Sequence, residues 1–208
     1  MPLSSVVGAQ SLVRPGVCTS STRPASPFEG QTIYETDTDL VKSWDGSSWI
    51  TIGPTTEVGK VLQVVSTTKT DTYSNASSTF TDVTGLTVSI TPSATLSKIL
   101  VFATIMVVGE SGVTAVYMRL ARGGTGIAVG GTAGSRVSSS SFSGAGVMNS
   151  MSASTLDSPS TTSSTTYSVQ LRNQGSGTIY INRTQTDADA VVNSGRFASS
   201  ITVMEISA

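Results

Sequence analysis

Histidine is absent from the 208-residue sequence, and its absence removes the most common catalytic chemistries. Nucleophilic catalysis by Ser-His-Asp or Cys-His groups needs an imidazole base, and many zinc sites need an imidazole ligand. The glutamates Glu29, Glu35 and Glu110 stand singly, whereas glycoside hydrolysis needs two positioned carboxylates. We therefore predict no catalytic residues and expect a protein that is not an enzyme.

Aspartate pairs and a glycine run are further residue types with possible ligand chemistry. Asp37/Asp39 and Asp187/Asp189 supply carboxylates, but a calcium cage needs six or more oxygen ligands, and capping of turns explains the spacing more simply. The run Gly123-Gly-Thr-Gly126 lacks the Gly-Lys-Ser/Thr ending of a phosphate-binding loop, so it predicts a hairpin turn. We predict neither a metal site nor a cofactor site.

The composition excludes several classes of partner. Charged residues make up 12% of the chain and the net charge is −1, which disfavours an electrostatic nucleic-acid binder. The apolar run Ile99–Val108 is too short for a membrane-spanning helix, and the N-terminus lacks the pattern of a signal peptide. Abundant Thr and Val, with few strong helix formers, predict an all-β protein. We expect it to be soluble, without membrane insertion, and assembled in the cytoplasm.

The first 22 residues predict an arm rather than a folded unit. They contain one weak apolar cluster, Leu3–Val7, and are interrupted by Pro15 and Gly16. Such a segment cannot bury a core of its own, so we expect residues 1–22 to anchor the chain by ordering against another protein. The lone Cys18 cannot form an intrachain disulfide.

Residues 23–53 predict a small three-stranded meander. Candidate strands are Gln31–Thr36, Leu40–Trp44 and Ser48–Ile52, joined by a turn at Asp37–Asp39 and by a two-residue Asp45-Gly46 hairpin. The predicted core consists of Ile33, Tyr34, Trp44 and Trp49. Trp44 and Trp49 could instead stack on sugars. A core this small predicts packing against symmetry copies.

The same segment resembles a module found in tail fibres and related appendages of tailed bacteriophages, including phages of cyanobacteria. The resemblance lies in Arg23-Pro-x-x-Pro-x-x-Gly-Gln-x-Ile-Tyr-Glu-Thr-Asp-Thr38, followed by Trp44-Asp-Gly-Ser-x-Trp49. It covers about thirty residues and implies a structural protein of the virion.

Residues 54–60 predict a linker, and residues 61–208 predict an antiparallel β-sandwich, jelly-roll-like in its spacing of strands and turns. The run Ile99–Val108 is apolar at successive positions, which predicts a central strand covered by the second sheet on one face and by a neighbouring subunit on the other. The predicted strands are Val61–Thr67, Lys69–Ser74, Thr79–Val83, Leu86–Ile90, Ile99–Val108, Thr114–Ala121, Thr125–Val129, Thr166–Arg172, Thr178–Asn182 and Ser199–Ile206.

The segment Gly130–Ser164 is rich in Ser, Gly, Thr and Ala, and predicts a long loop with one or two weak strands near Phe142–Met151. Loops on a rigid scaffold commonly carry binding, and this loop offers hydroxyls with few charges. We predict receptor contact, with a host surface polysaccharide as ligand, at the serines of this loop: Ser135, Ser138, Ser139, Ser140 and Ser141. A solvated loop without a binding role is the alternative.

The chain's end, Ser199-Ser-Ile-Thr-Val-Met-Glu-Ile206, loosely resembles the last strand of jelly-roll domains in phage fibres, and that likeness implies a homotrimer. The function expected is a trimeric tail or baseplate fibre subunit involved in host attachment, located in the virion. A capsid-bound head fibre or decoration protein is the alternative, and a polysaccharide-cleaving tailspike is a third, weaker hypothesis.

Overall fold

A computed structural model describes residues 15–53, 59–144, 146–189 and 192–208. The regular elements in these ranges are β-strands, in mainly antiparallel sheets, which confirms the predicted all-β class. The chain divides into two compact units, Met1–Glu57 and Val58–Ala208. Within the described ranges no helix has the length and apolarity needed to cross a membrane.

The first unit is a four-stranded sheet in the order β1 (Gly16–Cys18), β2 (Thr32–Glu35), β3 (Leu40–Trp44) and β4 (Trp49–Ile52). Strands β2 to β4 form the predicted antiparallel meander. The sequence did not predict β1, which pairs parallel to β2 and therefore belongs to this sheet rather than to a separate arm. Of the predicted arm, residues 1–14 lie outside the described residues.

The turn between β3 and β4 differs from the predicted two-residue hairpin. Trp44 pairs with Trp49, and the backbone N–H of Asp45 donates to the carbonyl of Ser48 at 3.0 Å. The Asp45 carboxylate accepts from the N–H groups of Ser47 at 2.8 Å and Ser48 at 2.7 Å, and these bonds hold the pKa of Asp45 down at about 2. The Asp45 side chain caps two backbone amides that would not be available in a two-residue turn, and the loop is therefore four residues long.

The second unit is an antiparallel β-sandwich, as predicted. One sheet has the order β10-β9-β13-β7 with β11 beside β9, and the other has the order β5-β15-β8-β14-β6 with β12 beside β8. The strands are β5 (Val61–Lys69), β6 (Tyr73–Asn75), β7 (Thr81–Ile90), β8 (Lys98–Gly109), β9 (Val113–Arg122), β10 (Thr125–Ile127), β11 (Ser141–Gly144), β12 (Asn149–Asp157), β13 (Thr165–Gly175), β14 (Ile179–Ile181) and β15 (Ser199–Ile206).

The core lies between the two sheets and is built from alternate residues of the long strands. In β8 the side chains of Ile99, Val101, Ala103, Ile105 and Val107 are buried, as expected for one face of a strand against a second sheet. Strand β8 pairs with β15 along one edge and with β12 along the other, so the predicted central position is confirmed. Its opposite face is uncovered within one chain, since Phe102 is 45% exposed.

Several boundaries differ from the predicted ones. The predicted strands Thr79–Val83 and Leu86–Ile90 are replaced by one strand, β7, which begins at Thr81 and continues through Gly85 at a φ of +81°, where its register with β13 shifts. Lys69 ends β5, so the predicted strand Lys69–Ser74 is reduced to Tyr73–Asn75.

One or two weak strands were predicted near Phe142–Met151, and the serine-rich segment contains two, β11 and β12. Strand β12 is nine residues long and pairs with β8 over its whole length, so the loop is shorter than the composition suggested. Met151 is buried at the core, whereas Leu156 is 56% exposed on the outer face.

Candidate functional site

The motif residues of the first unit have structural contacts. Arg23 forms an ion pair with the buried carboxylate of Glu35, which also accepts from the hydroxyl of Thr38 at 2.9 Å. The hydrogen bond from Arg23 holds the pKa of Glu35 below its ordinary value, against the opposing effect of burial. The sequence indicated no partner for Glu35, and in the structure Arg23 is that partner. Their ion pair joins the first residue of the Arg23–Thr38 motif to a residue near its end.

The predicted meander core is divided between the two faces of the sheet. Ile33 is buried, and Trp44 and Trp49 lie on the same face by register, with ring centroids 5.6 Å apart in an edge-to-face contact. This placement makes the tryptophans packing partners of each other. Tyr34 lies on the opposite face, where its hydroxyl donates to Asp39.

That opposite face carries an apolar row across all four strands of the first unit. Val17 pairs with Tyr34, Tyr34 with Val41, and Val41 with Ile52. Val17 is 69% exposed and Ile52 is 47% exposed. A continuous apolar row at the surface of so small a sheet is typical of a surface that another protein covers.

The aspartates considered as metal ligands are used in other contacts. Asp37 accepts from the backbone N–H of Ser20 at 2.8 Å, and Asp187 lies between Arg183 and Arg196 as an ion-pair partner of both. Asp189 is exposed. The described residues contain no cluster of three or more His, Cys, Asp or Glu that could hold a metal ion.

The predicted receptor-contact serines lie beside the edge of β9. Ser135 is exposed, whereas Ser138, Ser139, Ser140 and Ser141 are half-buried. The N–H of Ser140 donates to the carbonyl of Met118 at 2.8 Å, and Ser141 begins β11. The end of the segment is thus ordered against the sheet, and it leads directly to Phe142, an exposed residue of β11.

Phe142 starts a strip of aromatic and arginine side chains on the outer face of the sheet that contains β9. Phe142 pairs with Tyr117 and Tyr117 pairs with Arg172 across three strands. The Phe142 and Tyr117 ring centroids are 5.4 Å apart, and the Arg172 guanidinium lies 5.7 Å from the Tyr117 ring. Phe142 is 60% exposed.

A second row continues the strip on the same face. Arg119 follows Tyr117 by two residues, and its guanidinium carbon lies 4.2 Å from the centre of the Phe80 ring. Its Nε donates to Oε1 of Gln170, the cross-strand partner, at 2.7 Å. Partial burial lowers the pKa of Arg119, although Asp82 opposes this effect, and a guanidinium remains cationic at neutral pH in either case.

We call these residues, Phe80, Tyr117, Arg119, Phe142 and Arg172, the aromatic–arginine strip. In the part of the chain that the structure describes, neither arginine forms a salt bridge. Aromatic faces accept the apolar face of a sugar ring, and a guanidinium binds hydroxyls or carboxylates. The strip can therefore hold a saccharide on a rigid surface.

Sequence reasoning did not find this strip. Phe80 and Phe142 are far from β9 in the sequence, and only the register of β11 against β9 and the path of the chain before β7 bring them to the same face. Pairings between distant strands are not encoded in local patterns.

No protein-family model matches the sequence, and no curated protein matches it. Among solved structures, a chain of the structure entitled "Structure of infectious bursal disease virus Gx strain" is similar over 79% of this chain and 45% of that chain. The sequence identity is 15% and the TM-score is 0.33. This chain thus spans less than half of the length of that chain, and a likeness at this TM-score carries no argument about function.

Proposed function

We propose that the chain is a structural, non-enzymatic subunit of a tailed-bacteriophage particle: a homotrimeric tail or baseplate fibre that takes part in host attachment. The virion assignment is supported by the resemblance of residues 23–53 to the phage appendage module. The Arg23–Glu35 ion pair and the Trp44–Trp49 contact explain why the motif has these residues, since both contacts stabilise the small sheet.

The observation that carries the attachment role is the aromatic–arginine strip. It presents exposed aromatic surface and two cations without salt-bridge partners on a β-sandwich, beside the serine-rich segment that ends at Ser141. The ligand class that fits is a surface polysaccharide, bound by stacking on the rings and by hydrogen bonds to guanidinium and hydroxyl groups. Weak binding at each strip would be strengthened by the presence of three copies.

We propose that the N-terminal segment of the chain binds another virion protein. The anchoring segment proposed here is residues 1–14 rather than 1–22, because Gly16–Cys18 is part of the first sheet. A deletion of residues 1–22 would also remove strand β1, so its effect could come either from loss of anchoring or from disruption of the first sheet.

Adsorption of particles to host cells tests the attachment role. We expect Phe142→Ala combined with Arg172→Ala to reduce the adsorption rate constant at least tenfold, because the change removes the exposed ring and one cation. The matched control is Thr84→Ala, an exposed position on β7 of the same sheet. Particles should contain each variant at the normal level, and wild-type adsorption by the double variant would contradict the proposal.

A further inference from the structure

The outer face of the sheet that contains β8 is made of uncharged side chains in register. The first row is Val64, Met204, Leu100 and Leu156, all apolar. The second row is Ser66, Thr202, Phe102 and Ser154, and the third is Thr68, Ser200, Thr104 and Ser152. We call these three rows the charge-free face.

The apolar side chains of this face are substantially exposed in a single chain. Val64 is 55% exposed, Phe102 is 45% exposed and Leu156 is 56% exposed. The outer face of the other sheet has a different character, since it carries Arg119 and Arg172. The two outer faces of the sandwich therefore differ in chemistry. The face with the arginines is suited to exposure to solvent, and the charge-free face is suited to burial.

Four of the seven hydroxyl groups of the charge-free face are paired with each other. Ser66 and Thr202 are joined by a hydrogen bond of 2.8 Å between their hydroxyls, and Thr104 and Ser152 by one of 3.1 Å. Burial of a polar group is costly when its hydrogen bonds are lost. Cross-strand pairing lowers that cost for these four hydroxyl groups, so a partner can cover them without supplying polar groups of its own.

The size of the face suits a protein interface. Three rows spaced two residues apart, at about 3.3 Å per residue, on four strands at about 4.8 Å spacing give roughly 400 Å² of flat sheet. One side of a standard interface buries about 800 Å² of accessible surface, and the relief of the side chains adds to the flat area. Lys98, one row beyond the apolar row, donates to the Ser158 hydroxyl at 2.8 Å and marks a polar rim.

We infer that the charge-free face is the surface through which copies of this chain associate, side by side and pointing in the same direction. A charged partner would leave its charges unpaired against this face, whereas a second copy presents a matching uncharged face. The rows indicate the direction. A rotation axis along the strands places the apolar row against the apolar row, whereas a reversed arrangement centred on the second row places it against the hydroxyls of the third row. This inference rests on the proposed homotrimer and adds its contact surface.

Disulfide trapping in a Cys18→Ser background tests the direction of association. In a parallel arrangement equivalent residues meet, so Leu100→Cys alone and Thr104→Cys alone should each give cross-linked chains, because Cα atoms within about 7 Å can be bridged. Thr84→Cys on the other sheet is the control and should stay uncross-linked. Cross-linking only in a mixture of the Leu100→Cys and Thr104→Cys chains would show a reversed arrangement and overturn the inference.

Charge insertion tests the face itself. Val64 and Leu156 are more than half exposed on the edge strands of the face, so Val64→Lys with Leu156→Lys leaves the single chain folded. The midpoint concentration for association should rise at least about a hundredfold, because like charges would be buried together. Thr84→Lys should leave the midpoint unchanged, and the melting temperature of each variant reports folding.

The outcomes separate the inference from the proposed function. A wild-type chain that is monomeric at all concentrations contradicts both. A wild-type trimer that the two lysines leave intact overturns the inference alone. Loss of the lysine variant from particles with an unchanged trimer would assign the face to another virion protein and would also overturn the inference.

Discussion

Glu205 is a buried carboxylate at a core position of β15, and it has no salt-bridge partner among the described residues. It accepts hydrogen bonds from Nε2 of Gln63 at 2.6 Å and from the N–H and hydroxyl of Ser93 at 2.7 and 2.6 Å. Burial raises the pKa of Glu205, but these donors together outweigh burial and lower the pKa to about 2. The alternation Ile201, Val203, Glu205 shows from sequence that Glu205 faces inward, but not that Gln63 and Ser93 would meet it.

The stability of the sandwich should depend on the ionisation of Glu205. Because its folded-state pKa of about 2 is below the ordinary value of 4.5, the ionised form stabilises the fold fully above about pH 4.5. That contribution is lost as the pH falls from 4.5 towards 2. Glu205→Gln should therefore melt below the wild type at pH 7, and the difference should shrink as the pH approaches 2.

Thermal melting from pH 7 to pH 2 measures this effect. The control is Asp189→Asn, an exposed carboxylate in the same unit, for which the difference from wild type should be small at every pH. A gap between the wild type and Glu205→Gln that is constant over the whole range would contradict the assignment.

At the scale of elements, strands with a clear alternation were predicted close to their observed bounds. Ser199–Ile206 is an example, because buried and half-buried residues alternate along it and Ile201 and Val203 face inward. Strand β12 was predicted only as a weak strand because Ser, Ala and Thr occupy both of its faces, and its pairing with β8 is what orders it. Strand β1 could not be predicted, since three residues carry no periodicity and parallel pairing with β2 is non-local.

Gly175 permits the close approach of β13 to the turn before β9. Its φ is +117°, and a Cβ at this position would lie 2.1 Å from the carbonyl oxygen of Gly112. Gly175→Ala should lower the free energy of unfolding by at least about 2 kcal/mol, because the backbone conformation is strained for alanine and the carbonyl cannot move freely.

Denaturant unfolding of the full chain measures this loss. Gly144→Ala in β11 is the matched control, because a Cβ there meets nothing within 4 Å, and its effect should not exceed about 1 kcal/mol. Equal effects of the two substitutions would show that the predicted collision at Gly175 is relieved.

At the scale of the whole molecule, the two outer faces of the sandwich differ in the way that an assembled attachment subunit needs. One face carries the aromatic–arginine strip, for which we propose a ligand, and the other is the charge-free face, for which we propose neighbouring copies. The sequence predicted that both faces of strand Ile99–Val108 are covered, because apolar residues occupy successive positions in it. The strip was not visible, because its members come from different strands.

The position of the chain in the intact particle tests the central claim most directly. Particles that carry a short C-terminal epitope on this chain would be labelled with gold-conjugated antibody and imaged by electron microscopy. The account predicts label on the tail or baseplate, in clusters consistent with three copies. Label on the capsid would contradict the tail assignment in favour of a head fibre, and particles without label would contradict a role in the virion.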